Sequence, residues 1–507
     1  MFTMKTVQDI SLSACMEAVV RTAPLLAHVG PMRHAAIWAG ERYIRFARNG
    51  IYLDTSRPPG VTADLTEFGQ AILHTADRAF AKRLSPNVLR RLLENFVDGI
   101  MLGGNRPAID RFFEQHGTYP PGFLTLSPGK TCNLRCTGCY ANAGPTAEKL
   151  DWDTFDRIIT EAKTLWGMRF LVISGGEPMA YHSEGKGILD AAEKHPDVFF
   201  MMYTNGTLID DQVAKRMATL GNISPAFSLE GWRERTDERR GAGVFDKVLA
   251  AMARLRLAGV PFGVSLTATR HNAEEILSDE FMDFLFEQQG ALYGWLFHYM
   301  PIGRSFTLDL MPTPGQRLWM QRRVWEIIRQ RHIFLADFWN HATLSDGCIA
   351  GGRTRGGGYL YIDWNGTVAP CVFVPYTPVN VNDIYAKGGT LNDIWTNPFF
   401  ADIRDWQEGY WNRKGNWLAP CLIRDHHAEL RRLIAQHEPE PSDEEARKAL
   451  LDPDYARGMD DYDATYQALS DPLWQEYYLQ HGGQGNGRDR PLPESLASPD
   501  EHGKHNR

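Results

Sequence analysis

Cys132-Asn133-Leu134-Arg135-Cys136-Thr137-Gly138-Cys139 follows shortly after the apolar run Phe123-Leu124-Thr125-Leu126-Ser127. Three cysteines within eight residues is a density that points to a shared ligand. With gaps of three and two residues, one loop can set its thiolates at three corners of a cube and leave the fourth corner open. An iron–sulfur cluster with one free iron needs that arrangement. A structural zinc site normally takes four protein ligands, so the triplet by itself leaves a zinc knuckle or three unconnected thiols as alternatives.

Outward from the loop, Phe170-Leu171-Val172-Ile173 runs into Ser174-Gly175-Gly176-Glu177-Pro178, which reads as a buried strand ending in a glycine turn with one carboxylate. Glycines there let the backbone approach a ligand closely. From Phe123 onward, strand-like runs alternate with helical patterns. The candidate strands are Phe123–Ser127, Phe170–Ser174, Val198–Thr204, Pro225–Leu229, Phe262–Ala268 and Leu292–Met300. Phe245, Val248, Leu249, Met252 and Leu255 mark the clearest helical face between them. Such alternation implies parallel βαβ units, and six of them predict an α/β fold built on a partial (β/α)6 TIM-like barrel. Chemistry in parallel barrels gathers at the carboxyl ends of the strands. The cysteine loop, the Gly175-Gly176-Glu177-Pro178 turn, Thr204-Asn205-Gly206-Thr207, Ser228-Leu229-Glu230-Gly231, Thr267 to Asn272 and His298-Tyr299-Met300-Pro301 all fall there.

A Cys-x3-Cys-x2-Cys loop followed by a Gly-Gly-Glu turn resembles the radical SAM enzymes, over roughly residues 120–305. The resemblance implies a [4Fe–4S] cluster on Cys132, Cys136 and Cys139, with its free iron chelated by the amino and carboxylate groups of S-adenosyl-L-methionine. By the same similarity Gly175, Gly176, Glu177 and Pro178 hold the amino group, Ser228 and Arg240 meet the carboxylate, and Glu230 or Asn205 meets the ribose or methionyl part. It implies reductive cleavage to a 5′-deoxyadenosyl radical that takes hydrogen from an unactivated C–H bond, and an external electron donor such as flavodoxin or ferredoxin. His298, Tyr299 and Arg304, at the end of the sixth strand, are the expected substrate contacts. One departure stands out: many members carry an aromatic residue just before the third cysteine, where this chain has Gly138, with Tyr140 on the far side.

A second cysteine region follows. Cys348 precedes the loop Gly351-Gly352-Arg353-Thr354-Arg355-Gly356-Gly357-Gly358, and Tyr359–Ile362 and Thr367–Cys371 flank Trp364-Asn365-Gly366, a strong hairpin signal. Glycine ahead of Cys371, together with Leu391-Asn392-Asp393-Ile394-Trp395, resembles the SPASM and twitch domains that bind auxiliary clusters. A full SPASM domain has more cysteines than the Cys348, Cys371 and Cys421 present here, so the resemblance implies one second [4Fe–4S] cluster in a twitch-like or truncated module. Asp425, His426 or His427 could be its fourth ligand, or its iron could be open to substrate. A Cys3His zinc site is the competing metal reading.

The expected organisation is a helical region over 1–118, the barrel over 119–305, a linker helix and auxiliary domain over 306–431, a helical extension over 432–481 and a disordered tail over 482–507. Of 507 residues, 43% are hydrophobic and 23% charged, as in a globular protein. A net charge of -8 argues against a nucleic-acid surface, which needs clustered Lys and Arg. Seven cysteines, an odd number, and a first ten residues without a signal-peptide pattern point to a cytoplasmic protein with no disulfide framework. No apolar stretch is long enough to span a membrane, although the amphipathic amino-terminal helices leave room for peripheral membrane contact. The expected substrate is a small or lipid-like molecule beneath the helical cap. A peptide-modifying maturase is the alternative, and a non-catalytic electron-transfer or metal-binding protein the reading from another class.

Overall fold

The computed structural model describes residues 30–50, 57–81, 84–95, 104–354, 356–413 and 415–480. Cys15 and the tail expected to be disordered lie outside them. The strands are β1 (Phe123–Leu126), β2 (Phe170–Ile173), β3 (Phe199–Thr204), β4 (Ile223–Leu229), β5 (Gly263–Ala268), β6 (Tyr293–His298), β7 (Phe334–Asp337), β8 (Tyr359–Ile362), β9 (Thr367–Ala369), β10 (Tyr376–Thr377), β11 (Val379–Asn380) and β12 (Glu440–Pro441). All but β10 and β12 join one sheet, in the order β11-β9-β8-β1-β2-β3-β4-β5-β6-β7.

The six expected strands are present and parallel, and the sheet does not stop with them. β7 pairs parallel to β6 through Tyr293↔Phe334 and Trp295↔Ala336. β8 pairs parallel to β1 through Phe123↔Tyr359 and Thr125↔Tyr361. The hairpin read from Asn365-Gly366 forms, with β9 antiparallel to β8. It does not stand apart, however, but extends the barrel wall. Where β7 and β8 face each other the barrel is closed by rings: Phe338 lies 6.2 Å from Tyr359 and 5.9 Å from Phe373, and Trp339 lies 4.8 Å from Phe373. Aromatic pairs at such distances attract through their edges and faces without using backbone polar groups.

The helices that pad the sheet follow from their apolar stripes. In Trp152–Trp166 the buried residues Trp152, Phe155, Ile158, Ile159, Ala162 and Trp166 recur at helical spacing. Asp151 caps the helix by accepting from Thr154 N–H, and Gly167 ends it at φ 69°. Ahead of β1, the helices Gly30–Gly50, Pro59–Ala81, Pro86–Leu92 and Arg106–His116 bear out helical character there. Ser85 caps the third, its hydroxyl accepting from Val88 N–H at 3.3 Å. Pro59–Ala81 packs on β7, on the helix Pro314–Arg331 and on Trp474–Gln480, beside the barrel. At the carboxyl side Asp443 caps Glu444–Leu451, its carboxylate accepting from Ala446 N–H. No described helix is long and apolar enough to cross a membrane.

Candidate active site

Alternate residues of each barrel strand point inward, since side chains on a strand alternate between its faces. Phe123 and Thr125, Phe170, Val172 and Ser174, Met201 and Tyr203, Ser265 and Thr267, and Trp295 and Phe297 enclose a cavity of about 240 Å³. Aromatic side chains line it along its length, with Phe123, Phe170 and Tyr359 where their strands begin and Tyr203, Phe297 and Tyr299 toward the other end, where Ser174, Thr204, Asn205, Ser228 and Thr267 add hydroxyls and an amide. Cys132, Cys136, Cys139, Gly175, Gly176, Asn205, Ser228, Arg240, His298 and Tyr299 line the same cavity, so ten of the predicted site residues come together. No described residue ahead of Phe123 lines it.

The cysteine loop is held from two sides. Gly176 N–H donates to the Gly129 carbonyl at 2.9 Å and Glu177 N–H to that of Thr131 at 2.8 Å. A Cβ on Gly176 would collide with the carbonyls of Lys130 and Thr131, and Gly175 sits at φ 122° with its Cβ position 2.6 Å from the Gly129 carbonyl. The glycine pair is therefore required by the chain entering the cysteine loop as well as by any ligand. On the other side Gly303 lies against the carbonyls of Cys139 and Tyr140. Arg304 donates from Nη1 to the Cys136 carbonyl at 2.6 Å, from Nη2 to the Ala143 carbonyl and from its backbone N–H to the Cys139 carbonyl at 3.0 Å. Arg304 is outside the cavity lining. Its expected substrate contact is thus replaced by a clamp on the loop.

Glu177 is fully buried, its carboxylate accepting from Thr204 Oγ1 at 2.7 Å, Asn205 N–H at 2.8 Å and Met179 N–H at 3.1 Å. Burial raises its pKa against those bonds. Pro178 opens the short turn that follows and is buried outside the cavity lining. Asn205 Nδ2 donates to Asn133 Oδ1 at 2.9 Å and stands 3.8 Å from Cys132 Sγ, which also receives Leu134 N–H at 3.4 Å. Glu230, expected at the ribose, is engaged elsewhere: it is 1% exposed and holds Arg239 at 2.5 Å and Arg240 at 2.5 Å. Burial opposes the charge of Arg240, but Glu230 and the nearby thiols of Cys136 and Cys139 raise its pKa.

His298 donates from Nε2 to Asp337 at 3.1 Å and accepts at Nδ1 from Arg424 Nη1 at 2.9 Å. Burial lowers its pKa to about 4, so it is neutral with the Nε2 proton in place. The ring of Tyr299 fills the space that a side chain on Gly138 would occupy, its Cε2 being 2.6 Å from the Cβ position, and its hydroxyl donates to the Ser305 carbonyl at 2.8 Å. The edge of an aromatic ring thus stands against Gly138, the residue before the third cysteine.

Outside the barrel, burial pushes the Cys371 thiol up to about 12 and raises those of Cys348 and Cys421, and the three are close enough to raise one another. The three candidate fourth ligands have other partners. Asp425 accepts from Cys421 N–H at 3.0 Å and pairs with Arg317, His426 Nε2 donates to the Ala419 carbonyl at 2.9 Å, and His427 Nδ1 donates to that of Ile423 at 3.2 Å.

Residues 126–280 match the radical SAM superfamily and residues 348–422 match the SPASM iron–sulfur cluster-binding domain. The chain carries a radical SAM domain and a SPASM domain. Those domains imply S-adenosyl-L-methionine, a [4Fe–4S] cluster and further iron–sulfur chemistry at the SPASM domain. The cysteines fit such groups. Burial raises the Cys132 thiol to about 11, so its thiolate needs added positive charge. Among the described residues no three His, Cys, Asp or Glu side chains converge to hold a single metal ion. Thiols spread around a cavity suit the separate corners of a cluster.

The chain is 26% identical to an AdoMet-dependent heme synthase of Methanosarcina barkeri over 57% of its own length and 87% of that protein. It is 27% identical to the sporulation killing factor maturation protein SkfB of Bacillus subtilis, over 31% of its chain and 38% of that protein. Among solved structures, Streptococcus suis SuiB bound to the precursor peptide SuiA shares 21% identity at a TM-score of 0.49, with 60% of this chain and 71% of that one covered. Tyr203 and Tyr359 in the cavity wall were not singled out from the sequence. Strand alternation outward from Thr125 and Val172 was the signal that could have found them.

Proposed function

We propose that the protein takes a hydrogen atom from an apolar or aromatic group that a larger substrate projects into the barrel. The observation that carries this reading is the single cavity that joins three cysteines, the glycine turn and Arg240 at its rim to an aromatic interior. When bound, S-adenosyl-L-methionine and a [4Fe–4S] cluster would supply the radical. Cys132, Cys136 and Cys139 hold that cluster, on a loop braced by Gly175-Gly176 and Arg304. The backbone of Gly175 and Gly176 would face the amino group, Glu177 and Pro178 would hold that turn in place, and Ser228 and Arg240 would take the carboxylate. Asn205 orients Asn133 and meets the methionyl part, and Glu230 aims Arg240. His298, neutral and held by Asp337 and Arg424, presents a fixed ring to the reacting group beside Tyr299. Cys348, Cys371 and Cys421 hold the second cluster.

About 240 Å³ must hold both S-adenosyl-L-methionine and the reacting group. Small-molecule sites usually span about 300–1,000 Å³, so the enclosed space is too small for a cofactor and a whole substrate together, and the substrate enters with one side chain or substituent while the rest of it stays outside. The similarity to SkfB supports a peptide, one side chain of which enters the barrel. The similarity to AdoMet-dependent heme synthases, over most of one such protein, favours a second reading in which a compact molecule inserts one substituent. The test is anaerobic turnover with a reductant. Wild type should form 5′-deoxyadenosine and Cys132→Ala none, and deuterium from the right substrate should appear in the 5′-deoxyadenosine. Equal formation by Cys132→Ala would overturn the proposal.

A further inference from the structure

The barrel cavity and the second cysteine set meet at one side chain. Tyr359 opens β8 opposite Phe123, and its ring lines the cavity, stacked on Phe123 at 5.1 Å and edge-on to Phe338 at 6.2 Å across the ring-closed seam. Its hydroxyl donates to Cys371 Sγ at 2.9 Å, while Val372 N–H donates to the same hydroxyl oxygen at 3.2 Å. The amide occupies the acceptor side of that oxygen, so the phenolic proton is directed at the sulfur. Donors in series polarise one another, and each strengthens the next. Phe373 N–H is a second donor to Cys371 Sγ, at 3.5 Å. In the barrel, Cys132 Sγ is met by an amide at 3.4 Å and a side-chain amide at 3.8 Å, both longer than the hydroxyl bond to Cys371.

A reduced cluster carries one more negative charge than its oxidised form, partly on its sulfurs. Hydrogen bonds to ligating sulfurs stabilise that charge and set the potential. We infer that Tyr359 is a positioning residue for the second iron–sulfur site: its hydroxyl, oriented by Val372 and aimed at Cys371 Sγ, raises the reduction potential of that site, while its ring forms the wall of the cavity where substrate reacts. The inference rests on Cys348, Cys371 and Cys421 being cluster ligands.

Tyr359→Phe keeps the ring and its stacking on Phe123 and removes the hydroxyl. Wild type and variant, reconstituted under nitrogen, are titrated electrochemically with electron paramagnetic resonance detection. The barrel cluster is recognised by its response to S-adenosyl-L-methionine. The potential of the second cluster is expected to shift downward in the variant while that of the barrel cluster stays. In a second protein, 3-fluorotyrosine at position 359, a stronger donor of the same shape, is expected to shift it upward. Two clusters with an unchanged second potential in both proteins overturn the inference alone, as does a variant that loses its second cluster while the fluorinated protein matches wild type. Iron and sulfide for one cluster in wild type overturn the ligand assignment and the inference with it.

Discussion

Replacing Arg304 by Met removes two of the three bonds that tie the cysteine loop to the end of β6. In the wild type Nη1 reaches the Cys136 carbonyl at 2.6 Å, Nη2 reaches that of Ala143, and the backbone N–H bond to Cys139 at 3.0 Å does not depend on the side chain. A hydrogen bond from a charged donor contributes about 1.5–3 kcal/mol. Arg304 is half-buried, so the lower figure applies, and losing two such bonds costs about 3 kcal/mol. At about 1.4 kcal/mol per tenfold, the loop opens on the order of a hundredfold more often. The assay is anaerobic loss of iron from the barrel site to a chelator, followed by absorbance, with loop opening as a fast pre-equilibrium. Arg304→Met is expected to lose that iron on the order of a hundredfold faster and to keep the wild-type far-ultraviolet circular dichroism. Iron loss at the wild-type rate, with a raised KM for substrate, would return Arg304 to a substrate contact and refute the clamp.

Gly176→Ala places a methyl group against the carbonyls of Lys130 and Thr131; it is expected to leave a folded chain that binds no barrel cluster, checked by iron content against circular dichroism. Tyr203 lines the cavity, and burial holds its phenol protonated, well above the usual range. Tyr203→Phe keeps the ring that an apolar group packs on and is expected to leave KM within about twofold of wild type, less than the worth of one neutral hydrogen bond; a rise of about tenfold would contradict an apolar reacting group. Asp64 is buried, accepts from Tyr478 and Thr343 hydroxyls at 2.8 and 2.9 Å, and has its pKa raised by burial to about 7. An unfolded Asp titrates near ~3.9, so between these values the folded chain keeps a proton that the unfolded chain releases. Its stabilising contribution is full below about pH 4 and lost as pH rises through about 7. The thermal midpoint of Asp64→Asn is therefore expected to gain on wild type as pH rises from 4 to 8, and a pH-independent difference would contradict the assignment.

The strands and the rim were legible because most barrel strands are short apolar runs cut off by Gly, Ser, Thr, Asn or Pro, and β1 to β6 begin and end within two residues of the runs read from the sequence. Hairpin chemistry at Asn365-Gly366 was equally local. What the hairpin pairs with on its other edge was not: nothing in Tyr359–Ile362 itself names β1 as its parallel neighbour. Phe334–Asp337 escaped notice as a strand because it follows a long helix and is only four residues long. Arg304 and Glu230 were misread for a common reason. Position at a strand end says where a charged side chain starts, while its partner, the cysteine-loop carbonyls or Arg239 and Arg240, is fixed only by the folded chain. Tyr359 read as a strand aromatic, and its bond to Cys371 crosses from the cavity wall to the second cysteine set.

The most direct test of the account is iron, acid-labile sulfide and 5′-deoxyadenosine formation in anaerobically reconstituted wild type and in the Cys132→Ala, Cys136→Ala, Cys139→Ala triple variant. Two cubane clusters give about eight irons and eight sulfides per chain; the triple variant is expected to keep about four of each and to form no 5′-deoxyadenosine. A triple variant that keeps the full wild-type iron, or still cleaves S-adenosyl-L-methionine, would contradict the barrel site described here.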